Sequence, residues 1–310
     1  ATVTAVLGAG GSVAGGDGSD TLVINVAAAT FSDAAAQPRI SGFEKLELGT
    51  AATGSYNGAG FTGGYSFTGA LTANSTVTIG VTTGKTLDVV YADATGTADV
   101  ANLVLSSAAA LDLDTNADVT FAGVETINIT STDTNTTAHQ NTLDLDVVAA
   151  TSVVASGNAG LVMVNAGNVA ITSFDASGIT MAAVTDSGVT FTSVNVTVGE
   201  NVTIKGSNGV DALTGTTAAN DTITGGAAAD VVTGGLGTDR FVVATATDSN
   251  SGALDTVTDF LGGTDVMALA VAATGTINVG SAGAADLTIA ADFATTGATA
   301  TTLLADLSSV

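Results

Sequence analysis

The sequence predicts an all-β fold, a β-solenoid or parallel β-roll of short strands, and three observations carry that prediction. Ala (56), Thr (53) and Gly (39) make up nearly half of the 310 residues, so the interior must be thin and closely stacked. The acids are 25 Asp against 4 Glu. Glu favours helices, whereas Asp favours turns, caps and hard-cation ligation, so a helical bundle is a poor solution for this chain. Short runs that alternate apolar and polar residues recur throughout, the period of a half-buried strand.

Those runs begin with Thr21–Val26, Phe43–Leu48, Thr76–Ile79 and Leu87–Val90, and continue with Leu103–Leu105, Leu111–Leu113, Glu125–Ile129 and Leu143–Val147. Gly, Asn, Asp, Ser and Thr lie between them, the residues that form turns. Ala27–Ala36 and part of the Ala-rich tail after Gly283 read as short helices. From about residue 143 the runs start every seven to ten residues, a spacing open to a sandwich, a barrel or a solenoid. Asn-Gly and Asp-Gly hairpin turns are scarce there, and flat Thr/Val/Asn faces stack well on copies of themselves, which favours the solenoid. An internal echo pairs Gly42-Phe43-Glu44 with Gly123-Val124-Glu125, each followed by an alternating run, and reads as a repeated module. Three regions follow: a solenoid-like assembly region at 1–205, a roll at 206–270, and a C-terminal region at 271–310.

Composition also excludes functions. The net charge is −24, and the five bases Arg39, Lys45, Lys85, Lys205 and Arg240 are scattered, so no basic patch exists for nucleic acid. Without cysteine there are neither disulfides nor thiolate metal sites. No run approaches the roughly 20 apolar residues of a membrane span. A mean hydropathy of +0.49 opposes simple disorder. Ala1–Val6 shows no basic or apolar leader pattern, which suits a processed product or a fragment.

The chemistry concentrates between 206 and 242. Four segments align there, beginning at Gly206, Gly215, Gly225 and Gly234, and Asp recurs at 211, 221, 230 and 239. Two residues after each Asp stands an apolar residue: Leu213, Ile223, Val232 and Phe241. This is the pattern of the calcium-binding nonapeptide. Its glycines allow a tight turn with positive φ, Asp supplies a hard oxygen, and the apolar residue enters the core. Calcium takes six to eight oxygens, more than one turn offers, so ions should lie between stacked turns on the same side. Asp211 should then pair with Asp230, and Asp221 with Asp239, giving roughly two ions. Backbone carbonyls of Gly206, Asn208, Gly225, Ala227, Gly234 and Leu236 should complete them. The second segment lacks two glycines, and Ala228 replaces a glycine in the third, so sites there should be distorted. One further match, Gly15–Val23, stands alone near the start, with Asp17 and Asp20 as candidate ligands and no adjacent copy to stack on.

These segments resemble the RTX proteins exported by type I secretion. Leu254–Leu269 is similar to the element that closes RTX rolls, D-x-I-x-D-F-x-x-G-x-D, and this resemblance implies RTX calcium turns with Asp259 and Asp265 as further ligands and Asp255 less certain. The tail would overlap the C-terminal secretion signal. Proteases of that class carry H-E-x-x-H, yet His139 is the only histidine and reads as a loop residue. The 1–205 region resembles RTX-type bacterial S-layer proteins in composition. The resemblance implies a non-enzymatic structural protein that assembles with itself into a calcium-dependent lattice at the cell surface. Several Ca2+ ions, the type I secretion machinery and, through regions outside this chain, outer-membrane lipopolysaccharide would be its partners. The alternatives are an RTX adhesin or matrix protein and a solenoid polysaccharide enzyme. For the enzyme, Asp112/Asp114 and Asp144/Asp146 would have to be more than solvated strand faces.

Overall fold

The computed structural model describes residues 96–269 almost continuously, 122, 136–137, 166, 198, 246–247 and 250–252 excepted. Outside that span it describes the short segments 2–3, 12–18, 20–24, 40–43, 45–48, 56–57, 64–71, 76–79, 87–91, 274–279 and 287–292. Among these residues every regular element is a β-strand. The chain divides into two compact units, one of Ala1–Thr137 with Asn141–Ala150 and Ala166–Asn168, the other of Ala138–Gln140, Thr151–Asn165 and Val169–Val310.

In the second unit successive strands alternate between two sheets, so each strand pairs with the next but one in sequence. One sheet runs Gly160–Val164, Ser187–Thr192, Val210–Thr214, Val231–Thr233, Thr256–Val257 and Thr274–Val279. The other runs Ser152–Gly157, Ser173–Ile179, Thr203–Lys205, Thr222–Thr224, Arg240–Val243 and Val266–Leu269. All these neighbours are parallel. The period-two pattern thus builds a coil of strands whose inward residues meet in a narrow core. Leu213 and Val232 stack in one sheet, Ile204, Ile223, Phe241 and Met267 in the other, all buried. Lower in the unit, the rings of Phe174 and Phe191 stack face to face, 4.1 Å apart.

The first unit has the same construction. Thr126–Asp133 pairs in parallel with Val100–Ser107 over eight positions and alternates half-buried with buried residues along its length. Gly42 and Gly123, the heads of the echoed modules, both have left-handed backbones, with φ of 68° and 71°. Phe43 and Val124 after them are buried. Glu125 accepts the Asp99 N–H at 2.8 Å, while Glu44 lies outside the described residues.

Residues 205/206, the expected boundary, fall within the second unit, where the coil changes pitch. Ser173 pairs with Thr203, thirty residues on, but Thr203 pairs with Thr222, nineteen on, and Thr222 with Arg240, eighteen on. In the tail, Leu287–Asp292 is a strand antiparallel to Thr274–Val279, not a helix, because its alternation of Leu, Ile and Thr suits an edge better than a helical face. Ala27–Ala36 and 293–310 lie outside the described residues.

Candidate metal centre

Each Asp of the four repeats stands at or beside the start of a short strand, where a turn ends. Asp211 and Asp230 follow turns on one side of the roll, Asp221 and Asp239 on the other, as their spacing predicts. All four are buried, with 1% exposure. They are held by a repeated hook: the Oδ1 of each accepts a backbone N–H from one turn earlier. Asp230 takes the Asp211 N–H at 2.9 Å and Asp239 takes the Asp221 N–H at 2.8 Å. The hooks continue past the nonapeptides, from Asp230 N–H to Asp255 at 3.1 Å and from Asp239 N–H to Asp265 at 3.0 Å. Below, Asp211 receives Val189 N–H and Asp221 receives Val202 N–H, the latter at 2.8 Å. Two aspartate columns result, Asp211–Asp230–Asp255 and Asp221–Asp239–Asp265.

The turns are packed so closely that glycine is obligatory at specific points. Gly226 has φ of 117°, and a Cβ there would overlap the Ser207 carbonyl oxygen of the turn below. Gly235 stands likewise over the Thr216 carbonyl, and Gly237 over that of Ala219. The Gly225 and Gly234 carbonyls reach the other way, toward Gly206 and Gly215. Carbonyl oxygens thus enter the space between stacked turns from both sides, as a hard cation requires. The departures from the repeat are accommodated. Ala228 takes the conformation of the missing glycine, with φ of 98°. In the second turn the Thr216 hydroxyl accepts the Ala219 N–H at 3.0 Å and so replaces a glycine bend with a side-chain turn.

No basic side chain offsets the raised aspartates of the columns. Burial, followed by the Asp211 and Asp255 carboxylates, pushes Asp230 up to about 9. Burial also lifts Asp255 to about 8, with Asp248 and Asp211 adding to it, and lifts Asp211 to about 6 despite three hydrogen bonds from Ser207 and Val189. Asp239 rises to about 6 through burial and then Asp265, Asp221 and Asp259. Buried carboxylates without a counter-charge are costly, and the Oδ2 of Asp230 has no hydrogen-bond partner at all. Among the described residues no three acidic or histidine side chains converge on one point. An ion here would therefore draw on one or two carboxylates and several carbonyls, a donor set that suits Ca2+ and passes over softer metals.

Residues 205–241 match the calcium-binding nonapeptide of RTX proteins in four copies. They are RTX repeats. No curated protein sequence matches the chain. RTX repeats bind Ca2+ and are typical of secreted proteins, so calcium is the cofactor of this roll.

The remaining candidates are placed as follows. Asn208 spends its side chain on the turn below, accepting Met181 N–H and donating to Met181 O, and leaves its own carbonyl to the RTX turn. Leu236 is 73% exposed, at the tip of the fourth turn. Asp265 accepts Leu261 N–H at 2.7 Å with its second oxygen. Asp259 spans Gly234 N–H at 2.9 Å and Gly235 N–H at 2.7 Å, standing in for the carbonyl of the next repeat. In the lower turns Gly206 and Gly215 donate instead to Thr224 O and Thr233 O, both at 2.9 Å. Near the N-terminus the isolated Gly15–Val23 segment does have a neighbour, contrary to its appearance in sequence. Gly15 N–H donates to Ser41 O at 3.0 Å, and a Cβ on Gly15 would overlap the Gly42 carbonyl. Asp17 there is exposed and Asp20 half-buried. His139 lies outside any strand, as predicted, beside a polar recess of about 290 Å³ shared with Gln140, Thr185, Asp186 and Ser187.

Sequence reasoning missed the residues that do the hooking elsewhere. Asn141 accepts Leu111 N–H at 2.8 Å, Asn168 bridges Val147 N–H and Leu145 O, and Asn195 donates to Ile171 O at 3.1 Å. All are buried. The signal was present: Asn141, Asn168 and Asn195 stand 27 residues apart.

Proposed function

We propose that this chain is part of a non-enzymatic surface-layer protein, secreted by a type I system, that assembles with copies of itself into a calcium-dependent two-dimensional lattice on the bacterial cell surface. The observation that carries the reading is the union of an RTX roll with a coil of parallel strands under a charge of −24. Such a charge opposes compaction, and the buried aspartate columns add to that cost until a cation arrives. Where calcium is scarce, the chain stays extended and exportable; outside the cell, binding energy becomes folding energy.

Electron microscopy of the purified protein with and without calcium tests the reading. Ordered sheets with calcium, lost on chelation by EGTA, are expected. A strictly monomeric species at high protein and calcium concentration would refute the lattice and favour an adhesin that shares the same roll.

A further inference from the structure

Taking calcium-dependent folding of the roll as given, we infer that Asn208-Gly209 is a site of spontaneous covalent modification that the folded roll guards, and that it limits how long the chain can wait unfolded. The chemistry needs only water. The Gly209 backbone nitrogen attacks Cγ of Asn208 and closes a five-membered imide. The bond from Cγ to Nδ2 breaks, and ammonia leaves with the proton of the Gly209 N–H. Water then opens the ring at either carbonyl and leaves aspartate, or isoaspartate with the main chain routed through Cβ. Glycine favours the attack because no Cβ shields its nitrogen and its backbone reaches conformations other residues avoid. The sequence has two Asn-Gly steps, at Asn57 and Asn208, and at Asn208 both residues are described.

In the roll both reacting groups are tied down. The Asn208 Oδ1 accepts Met181 N–H at 2.5 Å and its Nδ2 donates to Met181 O at 3.2 Å, so the amide is clamped to the backbone of the turn one rung earlier. Gly209 N–H donates to the Ser207 hydroxyl at 3.0 Å, and that hydroxyl donates to Asp211 at 2.8 Å. Gly209 is buried, and a Cβ there would stand 2.7 Å from the Asp186 carbonyl oxygen and 2.8 Å from Met181 Cγ, so its backbone has no room to swing onto the amide. Ring closure therefore requires the rung to open and proceeds through unfolded chain. The product does not fit back. Aspartate at 208 has no donor for the Met181 carbonyl and adds a negative charge to a turn that already holds the buried Asp211. Isoaspartate adds a main-chain atom to a turn so close to the next that a Cβ on Gly206 would lie 2.1 Å from the Gly225 carbonyl oxygen.

Peptide mapping by mass spectrometry tests the inference. The whole protein is held at mildly alkaline pH in EGTA and in millimolar calcium, beside a synthetic peptide of residues 203–213, and circular dichroism reports folding in each sample. In EGTA Asn208 is expected to gain the mass difference between an amide and an acid at the peptide's rate. Hydroxylamine, which attacks the imide, should then cut the chain between residues 208 and 209. With calcium at a hundredfold excess over its Kd the rate is expected to fall about 100-fold for each ion bound. Asn208→Asp, which strands the Met181 carbonyl, is expected to need about tenfold more calcium to reach half its β signal. Conversion at the peptide's rate in folded protein, no conversion in unfolded protein, or an Asn208→Asp variant that folds at the wild-type calcium concentration would overturn the inference. A roll equally folded in EGTA and in calcium would overturn calcium-dependent folding instead; the guard is then read in urea, where the Asn208 rate should rise to that of the peptide.

Discussion

Replacing Asp230 with Asn should have opposite effects with and without calcium. In the calcium-free roll the Asp230 carboxyl is raised from 3.8 to about 9, so at pH 7 it is protonated when folded and ionised when unfolded. Taking up that proton at pH 7 costs at most about 4 kcal/mol, at about 1.4 kcal/mol per pH unit. Asparagine has the shape of the protonated acid, keeps the acceptor for Asp211 N–H, and carries no such cost. Its amide would be buried beside Gly225 without a fixed acceptor, a loss of about 1–3 kcal/mol. The net expectation in EGTA is a gain of about 1–3 kcal/mol. With calcium at a hundredfold excess over Kd, wild type gains about 2.7 kcal/mol per ion, and the variant forfeits that for any ion Asp230 ligates. Urea unfolding followed by circular dichroism, in EGTA and in millimolar calcium, measures both effects. If wild type is largely unfolded in EGTA, the variant shows the larger residual β signal. Equal destabilisation in both media would refute the argument and make Asp230 a structural hook alone.

The same carboxyls set the pH response. Because Asp211, Asp230, Asp239 and Asp255 are raised, the stability they contribute to the calcium-free roll is complete below the ordinary carboxylate range. It is lost as pH rises from about 4, up to about 6 for Asp211 and Asp239 and to about 8 and 9 for Asp255 and Asp230, so unfolding midpoints in EGTA should fall across that whole range, and calcium should abolish the trend. Gly226→Ala, which drives a methyl into the Ser207 carbonyl at a positive φ, should cost more than about 2 kcal/mol in urea unfolding with calcium present. Asn168→Ala strands the Val147 N–H and the Leu145 carbonyl. It should cost about 2–4 kcal/mol irrespective of calcium, read by denaturation in both media.

Much of the architecture was legible in the chain because strand period and turn chemistry are local. Alternation at Leu143–Val147 or Glu125–Ile129 needs no tertiary partner to be seen, and spacings of 10, 9 and 9 between aspartates already place alternate ones on the same side. What escaped was what one turn does to the next. Nothing local says that Ser41–Gly42 covers Gly15, since the covering turn carries no nonapeptide. Nor does sequence show that Ser207 bonds to both oxygens of Asp211, that Ala228 accepts a glycine's conformation, or that Asp259 accepts from both Gly234 and Gly235. The Gly15 and Asp259 contacts reach across 24 to 26 residues to backbone groups that every residue has. The asparagine hooks escaped for a related reason: a 27-residue period is too long to notice beside a nine-residue one.

The change of pitch at residue 205 also sets an order of assembly. The rungs made by the four repeats close loops of 18 or 19 residues, against 21 to 30 in the same unit's coil before them and 25 or 26 in the closing element. Closing the shorter loop saves at most about 0.4 kcal/mol of chain entropy per rung. The saving is made at the three repeat rungs, and each closed rung presents a finished edge to the next. The C-terminal roll is therefore the cheapest place for this chain to begin folding once calcium is met. A finished roll then offers Thr203–Lys205 as a ready-made template, from which the wider coil grows backwards toward the N-terminus.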